Sequence, residues 1–343
     1  LGQCFSLKSG VLQKASDHVL ATFTDQRDNE QANKEALYGV LGELINSCDS
    51  AHLLCSDYAS EEHKTAIPTA RWLHQLNSDR AFDVSIYTAP LSAADTLNRL
   101  LWKHCFAAIL TSATLAALGH FDHFIQQIGT GEPDRAFKIL GDLNFADSVF
   151  HVPKMRSDPT QAELHTEEII QLLPALLADD GGTLVLFSSR RQLQAVYDGL
   201  EDSLRQSILL QGERSKQYLI NQHKEAVDAG TNSVLFGLAS FAEGLDLPGN
   251  YCRQVIIAKL PFAVPDSPID EALGEWVESK GGNSFWDIAV PNASLRLLQA
   301  CGRLLRGESD QGRVTLLDRR ILTKSYGKQL LASLPPFEKQ LNT

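Results

Sequence analysis

No stretch of this 343-residue sequence is apolar for long enough to span a membrane, and no secretory signal peptide is recognisable. The six cysteines never occur at Cys-x-x-Cys spacing, and no cluster of metal-ligand residues is apparent, which favours reduced thiols in a cytoplasmic protein. A net charge of −11 excludes a surface that is basic all over, although a local basic stripe remains compatible with it. The sequence therefore argues against a membrane-spanning, disulfide-built or metal-built protein.

The phosphate-binding loop G-x-x-x-x-G-K-[ST] is absent as well. The stretch "YGKQ" (326–329) has Gly-Lys but no following Ser or Thr, and "GERSK" (212–216) lacks the second glycine. Another stretch, "DEAL", follows a proline-containing loop rather than a buried strand, so Asp270 and Glu271 are predicted to form the acidic first turn of a helix. Nothing in the sequence forms a cradle for the phosphates of a nucleotide.

Secondary-structure patterns divide the chain into a helical beginning and an α/β remainder. Residues 1–75 are predicted to be mostly helical, with one helix over 33–48 that Asn46 and Ser47 end. Residues 82–91 alternate like a half-buried strand, and "CFAAILTSATL" (105–115) has the continuous apolar run of a buried parallel strand. From residue 132 onward strands alternate with helices, which predicts a parallel sheet with helices on both faces.

Polar residues cluster where these strands end, and ligands of parallel sheets bind at the carboxyl ends of the strands. In "FSSRR", Ser188 or Ser189 either caps the next helix or, with Arg190, contacts a phosphate backbone. In "SFAEGLDLPG", Glu243 and Asp246 lie three residues apart across a glycine. Their carboxylates either accept hydrogen bonds from ribose or fix an arginine, or they only cap a turn.

The stretch "QACGRLLRG" (299–307) carries two arginines that a helix would place on one face, at i and i+3. Two guanidinium groups aimed the same way are suited to a dense anion such as phosphate. The alternative is that Arg303 or Arg306 pairs with a nearby acid such as Asp318 and only holds a helix on the sheet.

Five stretches in this order, "TSATL", "LVLFSS", "SFAEGLDLPG", "QACGRLLR" and "DRRILTKSYGK", resemble the later motifs of the superfamily 2 iron–sulfur DNA helicases of the DinG/XPD family, above all its DinG branch. The resemblance implies a helical arch remnant (1–75), the C-terminal part of a first RecA-like motor domain (76–131) and a second RecA-like motor domain (132–343). In this family the phosphate loop, the DEAH box and the iron–sulfur cysteines precede such a segment. The chain is therefore expected to be the C-terminal part of an ATP-dependent 5′→3′ DNA helicase, and to be inactive alone.

The resemblance also implies roles for individual residues. Arg303 and Arg306 match arginine fingers that reach the γ-phosphate of ATP, and Gln299 matches the leading glutamine of the same motif. The other implied roles are linkage between nucleotide and nucleic acid (Glu243, Gly244, Asp246), contact with nucleic acid (Ser188, Ser189, Arg190, Ser240) and coupling of the two motor domains (Ser112, Thr114).

The implied ligands are ATP and Mg²⁺, bound together with the missing half, and a 4Fe–4S cluster held only in the missing N-terminal part. This fragment alone is expected to hold no cofactor. Residues 286–328 contain eight basic against four acidic residues, which predicts weak, salt-sensitive binding of single-stranded DNA. The expected setting is a monomer in the bacterial cytoplasm, away from membranes. The alternative function is a non-catalytic nucleic-acid or protein interaction module without an ATP-binding half.

Overall fold

A computed structural model describes residues 11–14, 17, 28–59, 68–78, 81–133, 135–139, 141, 143–177 and 181–342. The chain divides into two compact units, one formed by Leu1–Ala93 with Pro265–Gly282 and the other by Ala94–Val264 with Asn283–Thr343. These bounds differ from the three segments expected from the sequence, and that three-part division stays a prediction.

The helices and strands alternate through most of the chain. The α-helices are α1 (Asp28–Ala59), α2 (Ala94–Leu100), α3 (Asp122–Ile128), α4 (Ala162–Leu176), α5 (Arg190–Gly199), α6 (Asp202–Arg205), α7 (Lys216–Asp228), α8 (Ala239–Ala242), α9 (Pro268–Ser279), α10 (Val290–Cys301), α11 (Arg320–Thr323) and α12 (Ser325–Ser333). The strands are β1 (Thr69–Ser78), β2 (Ala81–Pro90), β3 (Val149–Val152), β4 (Gly182–Phe187), β5 (Ile208–Leu210), β6 (Ser233–Leu238), β7 (Gln254–Ile257), β8 (Arg313–Leu316) and β9 (Glu338–Leu341). A π-helical turn, Phe285–Ala289, leads into α10.

The first unit contains α1, the antiparallel hairpin of β1 and β2, and α9. Two expectations are wrong here. The helix does not end at Asn46 and Ser47 but continues to Ala59, and the Ser47 hydroxyl donates to the Glu43 carbonyl at 2.8 Å within it. Strand β1 begins inside the region predicted to be helical, where cross-strand pairing with β2 decides the conformation. The strand predicted over 82–91 is confirmed as β2, and Asp270 and Glu271 do lie in the first turn of α9.

The second unit is built on a seven-stranded parallel sheet with the order β5-β6-β4-β7-β8-β3-β9. This confirms the α/β fold class and the parallel sheet. Short apolar runs form the central strands; every residue of β4, for example, is buried. The polar edge strand β9 was not predicted.

Alternate residues of these strands enter two separate cores, one on each face of the sheet. In β6, Leu235 packs into the core beneath α10, whereas Val234 and Phe236 pack into the core beneath α4 and α5. The face of α10 also receives the loop that follows α8, and it therefore positions the arginines considered below.

The stretch 105–115 is not a strand, contrary to the prediction. It is irregular and exposed, and the side chains of Phe106 and Ile109 are 107% and 93% accessible. A parallel strand needs a neighbour for its backbone hydrogen bonds, and no strand of the described residues pairs with this segment. Just after it, the Leu118 amide donates to the Ser294 hydroxyl of α10 at 3.1 Å.

Candidate functional site

Two short segments meet on the α10 face because their leucines share one core. Leu245 and Leu247, which follow α8, are buried in the same cluster as Leu304 and Leu305, which follow α10. The polar residues between these leucines are therefore left at the surface, side by side. We call the second segment, Arg303–Asp310, the arginine turn.

The guanidinium groups of the arginine turn converge on one backbone oxygen. Arg303 Nη1 and Arg306 Nη2 donate to the Leu245 carbonyl at 3.1 and 2.9 Å. Arg306 Nε also lies 3.8 Å from a carboxylate oxygen of the exposed Asp246, a long and screened ion pair. Burial, and next the charge of Arg306, lower the pKa of Arg303, but a guanidinium stays charged at neutral pH. Two positive charges thus share one neutral acceptor.

The sequence suggested that both arginines lie on one helix. This is wrong, because α10 ends at Cys301 and both arginines follow it. Their convergence comes instead from a turn held by Asp310, whose carboxylate accepts from the amides of Arg306 and Gly307, both at 2.8 Å. Burial acts to raise the pKa of Asp310, but hydrogen bonds from the amides of Arg306, Gly307 and Gly249 lower it overall. Sequence reasoning missed Asp310; its position four residues after Arg306, before a strand, was the available signal.

The loop that follows α8 has free space beside Gly244. Gly244 has φ +69°, a left-handed conformation that other residues rarely adopt, and a Cβ at this position would meet nothing within 4 Å. Glu243 is exposed, and its carbonyl accepts a hydrogen bond from Lys216 Nζ at the start of α7. Glycine is therefore required here by the backbone turn, and the space beside it is free for a ligand.

The residues that follow β4 and β6 lie at the carboxyl edge of the sheet, where neighbouring strand ends meet. Ser189 is the N-cap of α5: its hydroxyl accepts from the Gln192 amide at 3.3 Å, as the capping alternative stated. Ser188, Arg190 and Ser240 are exposed at the same edge. They leave hydroxyls and a cation available to solvent.

Arg303 does not lie at this carboxyl edge. A helix that precedes a parallel strand runs antiparallel to it, so the end of α10 reaches the amino ends of β7 and β8. There Leu304 packs beside Gly312, where an added Cβ would come within 2.8 Å of the leucine side chain. Gln299 is exposed on the last turn of α10.

The two residues expected to couple motor domains lie in the irregular segment. Ser112 Oγ accepts from the Thr114 amide at 3.4 Å, and Ser112 itself is exposed. None of the hydrogen bonds among the described residues joins this pair to the arginine turn.

Asp318 does not pair with either arginine of the turn. It is fully buried after β8, accepts from the Leu260 amide at 2.8 Å and binds Arg320 Nη2 at 2.7 Å. The alternative that used Asp318 as the partner of Arg303 or Arg306 is therefore wrong. The true partner, Arg320, lies in a motif stretch but was not singled out from the sequence.

Within the described residues, no group of three or more His, Cys, Asp or Glu side chains is placed to hold a metal ion. Burial raises the pKa of Cys252 and of Cys301 to about 12, so both thiols stay protonated and do not suit an iron–sulfur cluster. In the same part of the chain, no helix is both long and apolar enough to cross a membrane.

Comparison with known proteins shows which proteins this chain resembles. The model of a helicase C-terminal domain matches residues 172–337. The ATP-dependent DNA helicase DinG of Photobacterium profundum is 41% identical over 334 residues, which cover 96% of this chain and 48% of that protein. The chain is a homologue of the DinG helicases. DinG proteins of Escherichia coli and Salmonella typhimurium are each 35% identical over 286 residues, 81% of this chain and 40% of theirs. The chain thus spans about half the length, or less, of the curated relatives it matches.

Solved structures agree on the fold. An apo XPD structure matches with a TM-score of 0.54 at 17% identity, covering 92% of this chain and 63% of that one. A second XPD helicase structure matches with a TM-score of 0.52 at 17% identity, covering 93% and 56%. The α/β fold with its seven-stranded parallel sheet therefore resembles that of the XPD structures.

Proposed function

We propose that this chain supplies the second motor domain of an ATP-dependent 5′→3′ DNA helicase and is inactive without an ATP-binding half. The observation that carries the proposal is the convergence of Arg303 Nη1 and Arg306 Nη2 on the Leu245 carbonyl. Each guanidinium donates there through one terminal nitrogen, which leaves further N–H groups for an anion. The names of the relatives, ATP-dependent DNA helicases, support ATP as the source of that anion.

In this proposal the arginines act on ATP and Mg²⁺ that are bound by the other half. ATP supplies the free energy of phosphate release. Arg303 and Arg306 neutralise the charge that develops on the phosphoryl oxygens, as arginine fingers do, and Gln299 borders the same site. Glu243, Gly244 and Asp246 form the open loop that connects the arginines with the carboxyl edge.

Ser188, Ser189, Arg190 and Ser240 are proposed to contact the phosphates of single-stranded DNA. Hydroxyl groups and the amino end of α5 suit such backbone contacts, which fix the position of DNA without reading its sequence. The proposed setting is a monomer in the bacterial cytoplasm.

The exposure of the irregular segment 105–115 supports the proposal that the active protein needs a further, ATP-binding half. The segment's apolar side chains are exposed, as expected for a strand whose sheet lies elsewhere in the protein. Ser112 and Thr114 are proposed to couple that half to this one. The Leu118–Ser294 hydrogen bond joins the same part of the chain to α10, the helix that ends at the arginine turn.

The test is phosphate release from ATP, stimulated by single-stranded DNA. We expect none above a buffer blank for this chain alone, and release when the chain is joined to an ATP-binding half from a DinG relative. Release by this chain alone would contradict the proposal, as would a joined protein that folds and binds ATP but hydrolyses none.

A further inference from the structure

Four aromatic rings gather beside the carboxyl ends of β7 and β8. Phe262 follows β7, Phe285 and Trp286 form the π-helical turn before α10, and Tyr326 lies in α12. Phe262 stacks on Phe285 with centroids 5.5 Å apart, and Tyr326 meets Phe262 edge-on at 5.2 Å. Trp286 lies 5.7 Å from Phe285 and 6.4 Å from Tyr326. We call these four residues the aromatic cluster.

Two rings of the cluster pack into the core, and the other two remain partly exposed. Tyr326 is only 8% exposed, and Phe262 packs against the core beneath α10. Phe285 and Trp286 remain 39% and 38% exposed. An exposed apolar patch is more informative than a single exposed apolar side chain, and π-helical turns occur frequently at functional sites. Aromatic side chains that are held by their neighbours and remain partly exposed suit a flat, aromatic ligand.

Basic residues are frequent in the segments of the second unit that follow the adjacent strands β3, β7 and β8. These segments are residues 153–161, 258–264 and 317–324, and the last of them includes the short helix α11. They contain six basic residues against two acidic ones (Lys154, Arg156, Lys259, Arg319, Arg320 and Lys324 against Asp158 and Asp318). The segments therefore carry an excess of positive charge although the whole chain is acidic.

One of these charges lies close to the rings. Arg320 has its guanidinium 5.9 Å from the centre of the Phe262 ring while it binds the buried Asp318. Burial acts to raise the pKa of Asp158, but hydrogen bonds from Thr160 and the charges of Arg320 and Lys324 lower it overall. Lys324 is exposed, so its ammonium is available to a ligand as well.

We propose that the aromatic cluster is a stacking site for the bases of single-stranded nucleic acid. It rests on the proposed function and adds a base-binding element that the hydroxyls at β4 and β6 do not supply. Bases stack on the exposed faces of Trp286 and Phe285, and the phosphates lie against Lys324 and its basic neighbours. Such sites accept every base because each base has a π face.

A structural role accounts for only part of the cluster. Phe262 and Phe285 flank the excursion to residues 265–282, which belong to the other unit, so their stacking also holds the base of that excursion together. Trp286 contacts Phe285 and Tyr326 and is not needed to join the two ends. Replacement of Trp286 therefore tests stacking on nucleic acid and leaves the contact between Phe262 and Phe285 in place.

The experiment measures the affinity of the 343-residue chain for a fluorescein-labelled oligothymidylate of about 20 nucleotides, longer than one typical site. We expect Trp286→Ala to weaken binding by between about 5-fold and about 100-fold, the equivalent of ~1–3 kcal/mol per stacked base. Trp286→Phe should keep most of the affinity. The matched control is Tyr251→Ala, which removes an aromatic ring beside Lys224 at the amino end of β7; it should bind as the unchanged chain does.

A second arm uses an oligonucleotide of the same length whose bases are removed. The unchanged chain and Trp286→Ala should bind this abasic strand equally. Equal binding of oligothymidylate by both proteins, or an equal loss on the abasic strand, would overturn the stacking proposal while leaving DNA binding intact. If the unchanged chain binds no single-stranded DNA at all, the DNA-binding part of the proposed function fails together with it. If Trp286→Ala unfolds at a lower temperature than the unchanged chain, tryptophan fluorescence provides the test instead. DNA must then quench the fluorescence of the unchanged chain more than that of Trp286→Phe.

Discussion

Replacing either arginine of the arginine turn should abolish most ATP hydrolysis while the protein still folds. In a protein that joins this chain to an ATP-binding half, we expect Arg303→Ala or Arg306→Ala to lower kcat for DNA-stimulated hydrolysis by about 10³–10⁵, the range measured for arginine fingers. This loss corresponds to ~4–7 kcal/mol of transition-state stabilisation. KM should change less than kcat, because the charge that the arginines neutralise develops only in the transition state.

The stability of the two variants follows from the shared carbonyl. Each arginine donates one side-chain hydrogen bond to the oxygen of Leu245, a residue that is 1% exposed. After one replacement the other arginine still satisfies this oxygen, so each single variant should lose no more than about 1.5 kcal/mol. The double variant leaves the oxygen without a partner and should lose more than the sum of the two, by about 1–3 kcal/mol.

Arg306→Lys should restore little activity, since one ammonium group cannot reproduce a planar guanidinium fork. The control is Arg205→Ala, which removes an arginine that pairs with the exposed Asp202 of α6; its kcat should stay unchanged. Steady-state kinetics and thermal melts on the same preparations separate the effects. A large fall in melting temperature with a normal kcat per folded molecule would refute the catalytic role and leave the arginines as structural.

Other properties of the chain are equally open to measurement. Binding of single-stranded DNA should weaken with salt, log K falling against log salt with a slope of about −0.7 per phosphate contact, and a slope of zero would exclude phosphate contacts. Burial lowers the pKa of His223 below its ordinary 6.5, so the unfolded chain binds more protons in that range. The free energy of unfolding should therefore be highest above about pH 6.5 and fall as the pH drops toward the folded pKa; urea titrations should show a smaller fall for His223→Gln. Arg320→Ala leaves a buried carboxylate unpaired and should cost about 3–5 kcal/mol, or roughly 6–20 °C in Tm, and a change of about 1 °C would contradict this. The exposed Cys105 should react with a thiol reagent in the folded chain, whereas Cys252, whose pKa burial raises to about 12, should react only after unfolding.

The central strands could be predicted because their sequences carry the required information. Runs such as "TLVLF" in β4 and "SVLF" in β6 are short, apolar and β-branched or aromatic, and burial on both faces needs nothing else. Strand β9 ("EKQL") has no such signal, because it is a polar edge whose pairing with β3 is set by tertiary structure. The segment 105–115 has the signal but has no neighbouring strand among the residues that the structure describes, and periodicity alone does not reveal whether a partner strand exists.

The sequence motifs led to the two arginines, whose role stays a prediction, but not to the geometry that brings them together. The order of the motifs indicated Arg303 and Arg306, but the acceptor they share is a backbone oxygen, and any residue could have provided it. The sequence also suggested that the arginines lie on a helix, whereas α10 ends at Cys301, before both of them. Asp310, a capping residue, and Arg320, the partner of Asp318, both became recognisable only from their contacts.

The position of α10 explains how one domain can serve two ligands. The helix has 12 residues and is therefore about 18 Å long. Trp286 lies in the turn before its first residue, and Arg303 follows two residues after its last. If both proposals hold, a base stacked at one end and a phosphate held at the other act on the same rigid element. A displacement of the helix by either ligand then moves the contacts of the other, provided that the helix has two positions to choose between. The irregular segment 105–115 is followed by Leu118, whose amide donates to Ser294 of α10, so a contact made by that segment also acts on this helix.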